Sequence, residues 1–377
     1  MAATAAKQQA NRWPALLDAA AVLADYDFTR RIGIADVTMQ PLGVAGLITP
    51  WNSNAGFICG KLAAALAAGC TTVIKPSEMS AIQTSIVTRA LHEAGLPPGV
   101  FNIVTGRGET VGTVLSAHPD IAKVSFTGST AVGKQILMAG AQTLKRVTLE
   151  LGGKSPVLIL DDADLKKAIP LALQAGFMNS GQACIAGTRM LVPAHRVAEV
   201  EALIVEEMVA IRAGYPNDSD TSIGPMVSLK QWQRVQRYIQ IGIEEGAHLL
   251  AGGLGLPDDL GAGWFVRPTV FSRVTNQMTI AREEIFGPVL SIITYSDEED
   301  ALAIANDTPY GLQAYILSSD LPRAHALAAR IDAGRVLINT LAHEPRAPFG
   351  GFKQSGIGRE YGTFGLEAFL EPKSVLS

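Results

Sequence analysis

The sequence has few cysteines, few charges and no long apolar run, and each shortage argues against a class of protein. Three of the 377 residues are cysteines and no Cys-x-x-Cys pair occurs, so neither a disulfide framework nor a structural zinc site is expected. No apolar run reaches the roughly 18 residues of a membrane span. Charged residues make up 18% of the chain, the net charge is −4 and no basic run occurs. We therefore expect no metal site, no nucleic-acid partner and no membrane partner.

What the chain does have is length and apolar content, and these predict more than one domain. Hydrophobic residues make up 48% of the 377 positions. From Pro41 to Lys154, β-branched runs such as CTTVIKP and AKVSFTG alternate with segments of helical spacing. This alternation predicts a parallel sheet covered by helices. A second region of the same kind runs from Pro156 to about Pro345, with strands predicted at PVLIL, GWFVRPTVF and PVLSIITY.

Cys184, in the run NSGQACIAGTR, is the candidate nucleophile. Its neighbours are small, which leaves room for a substrate beside the sulfur: Gly181, Ala183, Ala186 and Gly187. A cysteine attacks as the thiolate and needs a base or a lowered pKa. A lone cysteine is more often a small core residue, and the loop alone leaves both interpretations open. Cys59 and Cys70 lack such surroundings, so we assign them to packing.

Glu150, in the run TLELGGKSP, is the candidate base. Gly152 and Gly153 follow it and would permit close approach of the backbone to a ligand. A carboxylate works as a base at neutral pH when partial burial raises its pKa. Taken by itself, a glutamate at a strand edge facing solvent explains this residue better. The choice depends on the motifs around it.

The Cys184 and Glu150 stretches resemble the active site of the NAD(P)-dependent aldehyde dehydrogenase superfamily. The motifs WNSNAGF, IKPSE, FTGSTAVG, EEIFGPV and PFGGFKQSGIGRE surround them in the family's order. The resemblance covers Asp27 to the C-terminus, and such enzymes usually carry about a hundred more residues before that point. It implies an α/β fold with a Rossmann-type cofactor domain, an α/β catalytic domain and a small β oligomerisation ribbon.

The resemblance also implies a division of the chain. We expect, in order, an N-terminal helix left from the cofactor domain (1–26), an oligomerisation ribbon (27–40), an NAD-binding domain (41–152), a thiol-bearing catalytic domain (153–355) and a C-terminal return with an oligomerisation strand (356–377). In similar enzymes the ribbon pairs with the C-terminal strand of a neighbouring subunit, for which residues 371–377 are the candidate. A homodimer or homotetramer is therefore expected.

The resemblance assigns roles in catalysis. Cys184 attacks the aldehyde, and its backbone N–H and the Asn52 amide meet the oxyanion. Glu150 then activates the water that hydrolyses the thioester. Lys61 and Glu360 match positions that relay protons from this base, although a surface ion pair would explain them equally. One departure is visible at Asn54, where the family often has a proline; it affects the mouth of the pocket.

A dinucleotide oxidant is the expected cofactor. FTGSTAVG places Gly128 and Ser129 at a helix N-terminus, a seat for a pyrophosphate, although Ser129 is also an ordinary N-cap. In IKPSE, Lys75 can donate to ribose hydroxyls and Glu78 can accept from them. That carboxylate would repel a 2′-phosphate, so NAD is favoured, with NADP still possible. The family's remaining cofactor positions fall on the following residues: Trp51, Ser77, Gly152, Glu284 and Phe286.

The leading interpretation is therefore oxidation of an aldehyde to the carboxylic acid with NAD, in a reducing cytoplasm that keeps the thiol free. A semialdehyde or CoA-acylating oxidoreductase is the runner-up, and Glu150 argues against the acylating form because such members generally lack it. A third alternative is a truncated relative that keeps the fold and is weakly active or non-catalytic.

Overall fold

The computed structural model describes residues 14–377, which divide into two compact units. The first unit contains residues 14–151, His343–Gly350 and Gly356–Ser377, and the second contains Gly152–Ala342 and Gly351–Ser355. The predicted helix at 1–26 is described only from Pro14, and its earlier part lies outside the described residues. No helix in the described part of the chain is long and apolar enough to cross a membrane.

The described residues of the first unit form two sheets. Its strands are β1 (Thr29–Ile32), β2 (Ala35–Pro41), β3 (Val44–Ile48), β4 (Thr71–Lys75), β5 (Phe101–Ile103), β6 (Lys123–Thr127), β7 (Arg146–Glu150), β17 (Gly356–Ile357) and β18 (Leu370–Leu376). Its helices are α1 (Pro14–Ala24), α2 (Asn54–Ala67), α3 (Ala81–Glu93), α4 (Thr113–Ala117), α5 (Thr130–Ala141) and α12 (Gly362–Glu367), with a π-helical turn at Gly108–Gly112 before α4.

The second unit also has helices and strands in alternation. Its strands are β8 (Pro156–Ile159), β9 (Arg189–Pro193), β10 (His248–Ala251), β11 (Thr269–Ser272), β12 (Val289–Tyr295), β13 (Tyr310–Gly311), β14 (Gln313–Leu317), β15 (Arg335–Ile338) and β16 (Phe352–Lys353). Its helices are α6 (Leu165–Phe177), α7 (Val197–Met208), α8 (Leu229–Glu244), α9 (Thr279–Arg282), α10 (Glu298–Asn306) and α11 (Leu321–Ala328).

The main sheet of the first unit confirms the predicted parallel arrangement. Its strand order is β17-β7-β6-β3-β4-β5, and only β17 runs antiparallel to its neighbour. The chain steps outward from β3 to β5 and then returns to β6 on the other side of β3. Ligands of open α/β sheets bind outside the carboxyl ends of the strands at such a reversal. The fold thus marks the ends of β3 and β6 as a binding edge.

Strand β6 shows how the two faces of this sheet differ. Val124 and Phe126 point into an apolar cluster that also contains residues of α4 and α5. Lys123, Ser125 and Thr127 alternate with them and are also buried. Because successive side chains of a strand point to opposite faces, one face of β6 is apolar and the other carries a polar row.

The sheet of the second unit packs apolar side chains on both faces. Its order is β10-β11-β12-β9-β8-β14-β15, and only the edge strand β10 is antiparallel to its neighbour. Val157 and Ile159 pack with α6 and α7, whereas Leu158 and Leu160 pack with α10 and α11. Helices on both faces explain why PVLIL is an unbroken apolar run.

The small sheet of the first unit corrects one expectation. The ribbon of β1 and β2 gains a third strand, but that strand is β18 of the same chain and not of a neighbouring subunit. The Leu42 N–H donates to the Phe369 carbonyl at 3.1 Å, which holds the start of β18 beside the end of β2. The pairing then continues from Leu370 with Pro41 to Leu376 with Ala35. An intrachain route of this kind needs no exchange between subunits.

Candidate active site

The candidate residues of the first unit lie along one edge of its main sheet. Trp51 and Asn52 follow β3, Lys75 ends β4 and is followed by Ser77 and Glu78, Gly128 and Ser129 follow β6, and Glu150 ends β7. The carboxyl ends of parallel strands meet at the same edge. The fold therefore gathers eight sequence-predicted residues from four separate segments.

Glu150 is a buried carboxyl. Its side chain belongs to a residue that is 2% exposed, and neither carboxylate oxygen has a hydrogen-bond partner among the described residues. Burial raises the pKa of Glu150 well above its ordinary value, and the nearby Glu360 adds to this, while Lys61 and Arg359 oppose it. The predicted solvent-facing alternative for Glu150 is therefore wrong. A carboxyl in this state can accept a proton readily.

Lys61 and Glu360 form a buried ion pair in the first unit. The Lys61 ammonium, on α2, also donates to the Ser125 hydroxyl at 3.0 Å, and that hydroxyl donates to the Glu360 carboxylate at 3.2 Å. The surface ion pair considered for these residues is thus excluded by burial of the lysine. Ser125 was not predicted, although the alternation in KVSFT places it on the polar face of β6.

Lys75 and Glu78 meet at the end of β4. The Lys75 ammonium donates to the Glu78 carboxylate at 3.2 Å, and the lysine is 3% exposed whereas the glutamate side chain is half exposed. A backbone hydrogen bond, helped by Lys75, holds the pKa of Glu78 below its usual range. An ionised, accessible carboxylate therefore stands at this edge beside a buried ammonium.

Ser77 and Ser129 act first as helix caps. The Ser77 hydroxyl accepts from the Met79 N–H at 3.3 Å, and the Ser129 hydroxyl accepts from the Val132 N–H at 3.4 Å. The first turn of α5 is the positive end of the helix dipole, an environment that favours an anion. At position 128 a Cβ would lie 2.4 Å from the Phe126 ring, so any residue other than glycine would displace that buried ring.

The segment between β3 and α2 holds the two asparagines. Asn52 is 7% exposed, and Asn54 is fully buried as the first residue of α2. The Asn54 amide donates to the Thr84 hydroxyl of α3 at 2.8 Å. The departure from the family's proline is therefore compensated by a hydrogen bond between two helices of the same unit.

In the second unit the candidate residues lie at the amino ends of strands. Gly152 precedes β8, Cys184 precedes β9, and Glu284 and Phe286 precede β12. These three strands are parallel and lie close together in the sheet, so their amino ends form one edge. This arrangement is the reverse of the usual one, in which ligands lie at carboxyl ends.

Cys184 occupies a tight turn that we call the nucleophile turn, Ala183–Ala186. The Ala186 N–H donates to the Ala183 carbonyl at 3.1 Å, and Cys184 is the second residue of the turn and is half-buried. The chain enters the turn through three consecutive residues with positive φ, which are Asn179 (50°), Ser180 (60°) and Gly181 (71°). A Cβ at Gly181 would lie 2.1 Å from the Gly287 carbonyl oxygen, so only glycine fits.

Gly152 and Gly153 allow the backbone to pass close to two candidate groups. The Gly153 N–H donates to the Glu284 carboxylate at 3.0 Å, and a Cβ on Gly152 would lie 2.5 Å from that carboxylate. A Cβ on Gly153 would lie 2.4 Å from the Cys184 carbonyl oxygen. Burial raises the pKa of Glu284, and the Gly153 N–H and Lys154 oppose this. The glycine pair thus links Glu284 to the nucleophile turn.

The sequence profile of the aldehyde dehydrogenase family matches residues 4–375. The chain belongs to the aldehyde dehydrogenase family. It is 51% identical over 360 residues to a 3-succinoylsemialdehyde-pyridine dehydrogenase from a Pseudomonas species, and the match covers 96% of this chain and 76% of that protein.

Solved aldehyde dehydrogenases have the same fold. Aldehyde dehydrogenase C of Pseudomonas syringae, crystallised as a mutant with NAD+ and octanal, is 47% identical and has a TM-score of 0.97, and the match covers 100% of this chain and 78% of that one. A Mycobacterium tuberculosis aldehyde dehydrogenase crystallised with NAD+ is 44% identical with a TM-score of 0.93, covering 97% and 77%. The predicted Rossmann-type α/β fold is thus confirmed.

The other cysteines of this aldehyde dehydrogenase are core residues. Cys59 and Cys70 are buried in the apolar cluster of the first unit, and burial raises the pKa of Cys59 to about 11. Within residues 14–377, no group of three histidine, cysteine or acidic side chains is placed to hold a metal ion. Cys184 differs from the other two in lying partly open, at the end of a glycine-bounded loop.

Proposed function

We propose that this aldehyde dehydrogenase oxidises an aldehyde to its carboxylic acid with NAD, through a thiohemiacetal and a thioester on Cys184. The observation that carries the proposal is the Glu150 carboxyl, which is buried, lacks a hydrogen-bond partner among residues 14–377 and has a raised pKa. An enzyme that hands its acyl group to a thiol needs no such base, whereas one that hydrolyses a thioester does. Oxidation to the free acid gives a functional reason for burying this carboxyl despite its desolvation penalty.

The first half-reaction belongs to Cys184. Its thiolate sulfur forms a bond to the carbonyl carbon, and the carbonyl electrons move to the oxygen. We infer that the Asn52 amide and the Cys184 N–H donate to this oxyanion. NAD, held by the residues assigned to it below, would supply the oxidant for the hydride that leaves the carbon. Collapse of the oxyanion then restores the C=O bond as a thioester.

The second half-reaction belongs to Glu150. Its carboxylate takes a proton from water as the water oxygen bonds to the thioester carbon, and the C–S bond breaks to return the Cys184 thiolate. The proton then has to leave a buried site. The Lys61 and Glu360 pair, joined through Ser125, offers polar groups to which it can pass.

The residues at the edge of the first unit fit a dinucleotide. Lys75 offers donors and Glu78 an ionised acceptor for a ribose diol. The Thr127 hydroxyl is buried at the end of β6 with no partner among the described residues, beside the N-terminus of α5. This set combines ribose and phosphate recognition. We assign Trp51, Ser77, Gly128 and Ser129 to the same cofactor, and Gly152, Glu284 and Phe286 to its nicotinamide half.

A rapid-mixing experiment with Glu150→Gln tests the function. An aldehyde such as octanal is mixed with enzyme and NAD, the reaction is quenched within one turnover, and the Cys184 peptide is examined by mass spectrometry. We expect a burst of NADH, followed by a slow phase in which the Cys184 thioester accumulates. Loss of the burst, with no acyl group on Cys184, would show that Glu150 serves attack by the thiol and not hydrolysis.

The assembly and location are inferred from exposed strands and free thiols. The outer strand β1 is exposed along its whole length, and β18 is exposed after its first two residues. Open edges of a three-stranded sheet invite pairing with another chain, and a two-fold contact would satisfy them. We therefore infer a homodimer or homotetramer acting on a small aldehyde. Three cysteine thiols agree with the reducing cytoplasm.

A further inference from the structure

A row of hydrogen-bonded side chains leads to the nucleophile turn within the second unit. Arg335 on β15 lies opposite Gln313 on β14, and its Nε donates to the Gln313 side-chain oxygen at 2.7 Å. The Gln313 side-chain nitrogen donates to the Tyr315 hydroxyl. The Tyr315 hydroxyl donates to the Ile185 carbonyl at 2.8 Å. Gln313 and Tyr315 are 2% and 1% exposed, so the hydrogen bond between these two side chains is shielded from water.

The direction of every hydrogen bond in this row is fixed by chemistry. A guanidinium only donates, so the Gln313 oxygen must face Arg335 and its NH₂ must face the tyrosine. The hydroxyl therefore accepts from the amide and gives its single proton to Ile185. Burial raises the pKa of Tyr315, so that proton is retained across the working range of the enzyme.

Tyr315 also packs behind the turn. A Cβ built on Gly187 would lie 3.2 Å from two carbons of the tyrosine ring, so the ring lies almost against the backbone at that position. Gly153 also approaches the turn, because a Cβ built on it would lie 2.4 Å from the Cys184 carbonyl oxygen. The Cys184 and Ile185 carbonyls of the turn thus each have a close neighbour that limits their direction.

We propose that Tyr315, oriented by Gln313 and Arg335, is a positioning residue that fixes the Ile185 carbonyl and thereby the direction of the Cys184 thiol. The inference rests on the proposed role of Cys184 as the nucleophile. Tyr315 acts through the turn, so it governs how fast the sulfur attacks and not how tightly NAD binds. The sequence hides this role because QAY looks like ordinary strand residues.

Two variants and one matched control test the proposal in the 377-residue enzyme. Tyr315→Phe removes the donor to Ile185. Gln313→Glu replaces the amide donor with an acceptor, which draws the Tyr315 proton away from Ile185 while Arg335 gains an ion pair. Tyr295→Phe is the control, because the buried Tyr295 hydroxyl makes an equivalent bond to the Ile159 carbonyl at 2.9 Å, on a carbonyl outside the turn.

The rate of the NADH burst should fall roughly 5- to 50-fold in Tyr315→Phe and Gln313→Glu, the range between one lost hydrogen bond and a misplaced nucleophile. The NAD dissociation constant should stay unchanged in both. Tyr295→Phe should keep the wild-type burst rate even where its melting temperature falls as far as that of Tyr315→Phe. Gln313→Glu should lose burst rate without losing thermal stability, which a merely structural role would not produce.

A second readout does not depend on turnover. Alkylation of Cys184 by iodoacetamide in the free enzyme, followed by mass spectrometry of its peptide, should slow in Tyr315→Phe and Gln313→Glu but not in Tyr295→Phe. Equal effects of both tyrosine variants, or an unchanged alkylation and burst rate in Tyr315→Phe, overturn the proposal. A wild-type enzyme without a Cys184-dependent burst refutes the proposed function instead, and the alkylation series then still decides the role of Tyr315. If Tyr315→Phe fails to fold, Gln313→Glu gives the same comparison.

Discussion

Replacing Glu150 with glutamine should stabilise this aldehyde dehydrogenase, and the gain should grow as the pH rises. Burial, followed by repulsion from Glu360, raises the pKa of Glu150 well above 4.5 in the folded protein. The folded state therefore binds more protons at this group than the unfolded state does once the pH exceeds the unfolded pKa. Wild-type stability falls with rising pH over that window, and a glutamine cannot titrate.

The size of the effect follows from one carboxyl that stays protonated in the folded state over a pH range in which it is ionised in the unfolded state. A single proton bound only by the folded protein changes the free energy of unfolding by about 1.4 kcal/mol per pH unit. The difference in the free energy of unfolding between Glu150→Gln and wild type should therefore rise with pH at no more than that slope. Above the folded pKa of Glu150 the difference should become constant. The pH at which it becomes flat reads out the folded pKa of Glu150, with Lys61 and Arg359 acting to lower it.

Urea unfolding followed by tryptophan fluorescence between about pH 5 and pH 8 measures this difference. Glu206→Gln is the matched control, since Glu206 lies exposed on α7 and an exposed carboxyl loses little hydration on folding. A difference between Glu150→Gln and wild type that stays constant over the whole range would refute the reasoning, because Glu150 would then titrate alike in both states.

Three further predictions concern catalysis, cofactor choice and assembly. Cys184→Ala should abolish aldehyde oxidation and leave NAD affinity nearly intact by calorimetry; persistent turnover would remove the covalent mechanism. The enzyme should prefer NAD because the Glu78 carboxylate repels a 2′-phosphate. Glu78→Thr should bring kcat/KM with NADP closer to kcat/KM with NAD. Comparable kcat/KM values for the two cofactors in the wild type would contradict this prediction. Light scattering during size exclusion should give at least twice the chain mass, and an active monomer would argue against the proposed assembly.

The motifs of the sequence located the candidate residues, but not their partners. FTGSTAVG and IKPSE lie at the carboxyl ends of strands, because each begins with or follows a β-branched run that forms the strand. The alternation of strands and helices makes those strands parallel, so their carboxyl ends share one edge of the sheet. The Lys61 and Glu360 pair joins residues that are 299 positions apart. No local pattern encodes such a contact, since it depends on how the C-terminal segment returns to α2.

The strand predicted at GWFVRPTVF shows where pattern alone fails. Only Thr269–Ser272 forms a strand there. The Trp264 carbonyl accepts from the Met226 N–H at 2.8 Å, and the Phe265 carbonyl accepts from the Trp232 indole at 2.7 Å, so these groups bond to neighbouring segments. Pro268 lacks an N–H for the ladder. Apolar alternation describes burial, and here the backbone hydrogen bonds are made outside the sheet.

The contact between Gly181 and Gly287 has a consequence for anyone who redesigns this enzyme. The left-handed residues before the nucleophile turn press Gly181 against the backbone that follows Phe286. Neither segment has room to be lengthened or shifted alone, because the two backbones pack directly against each other. Loop grafts or random libraries directed at the cysteine segment should therefore vary the Gly181 and Gly287 segments together. Altering one of them alone would displace both the Cys184 sulfur and the proposed nicotinamide-binding residue Phe286.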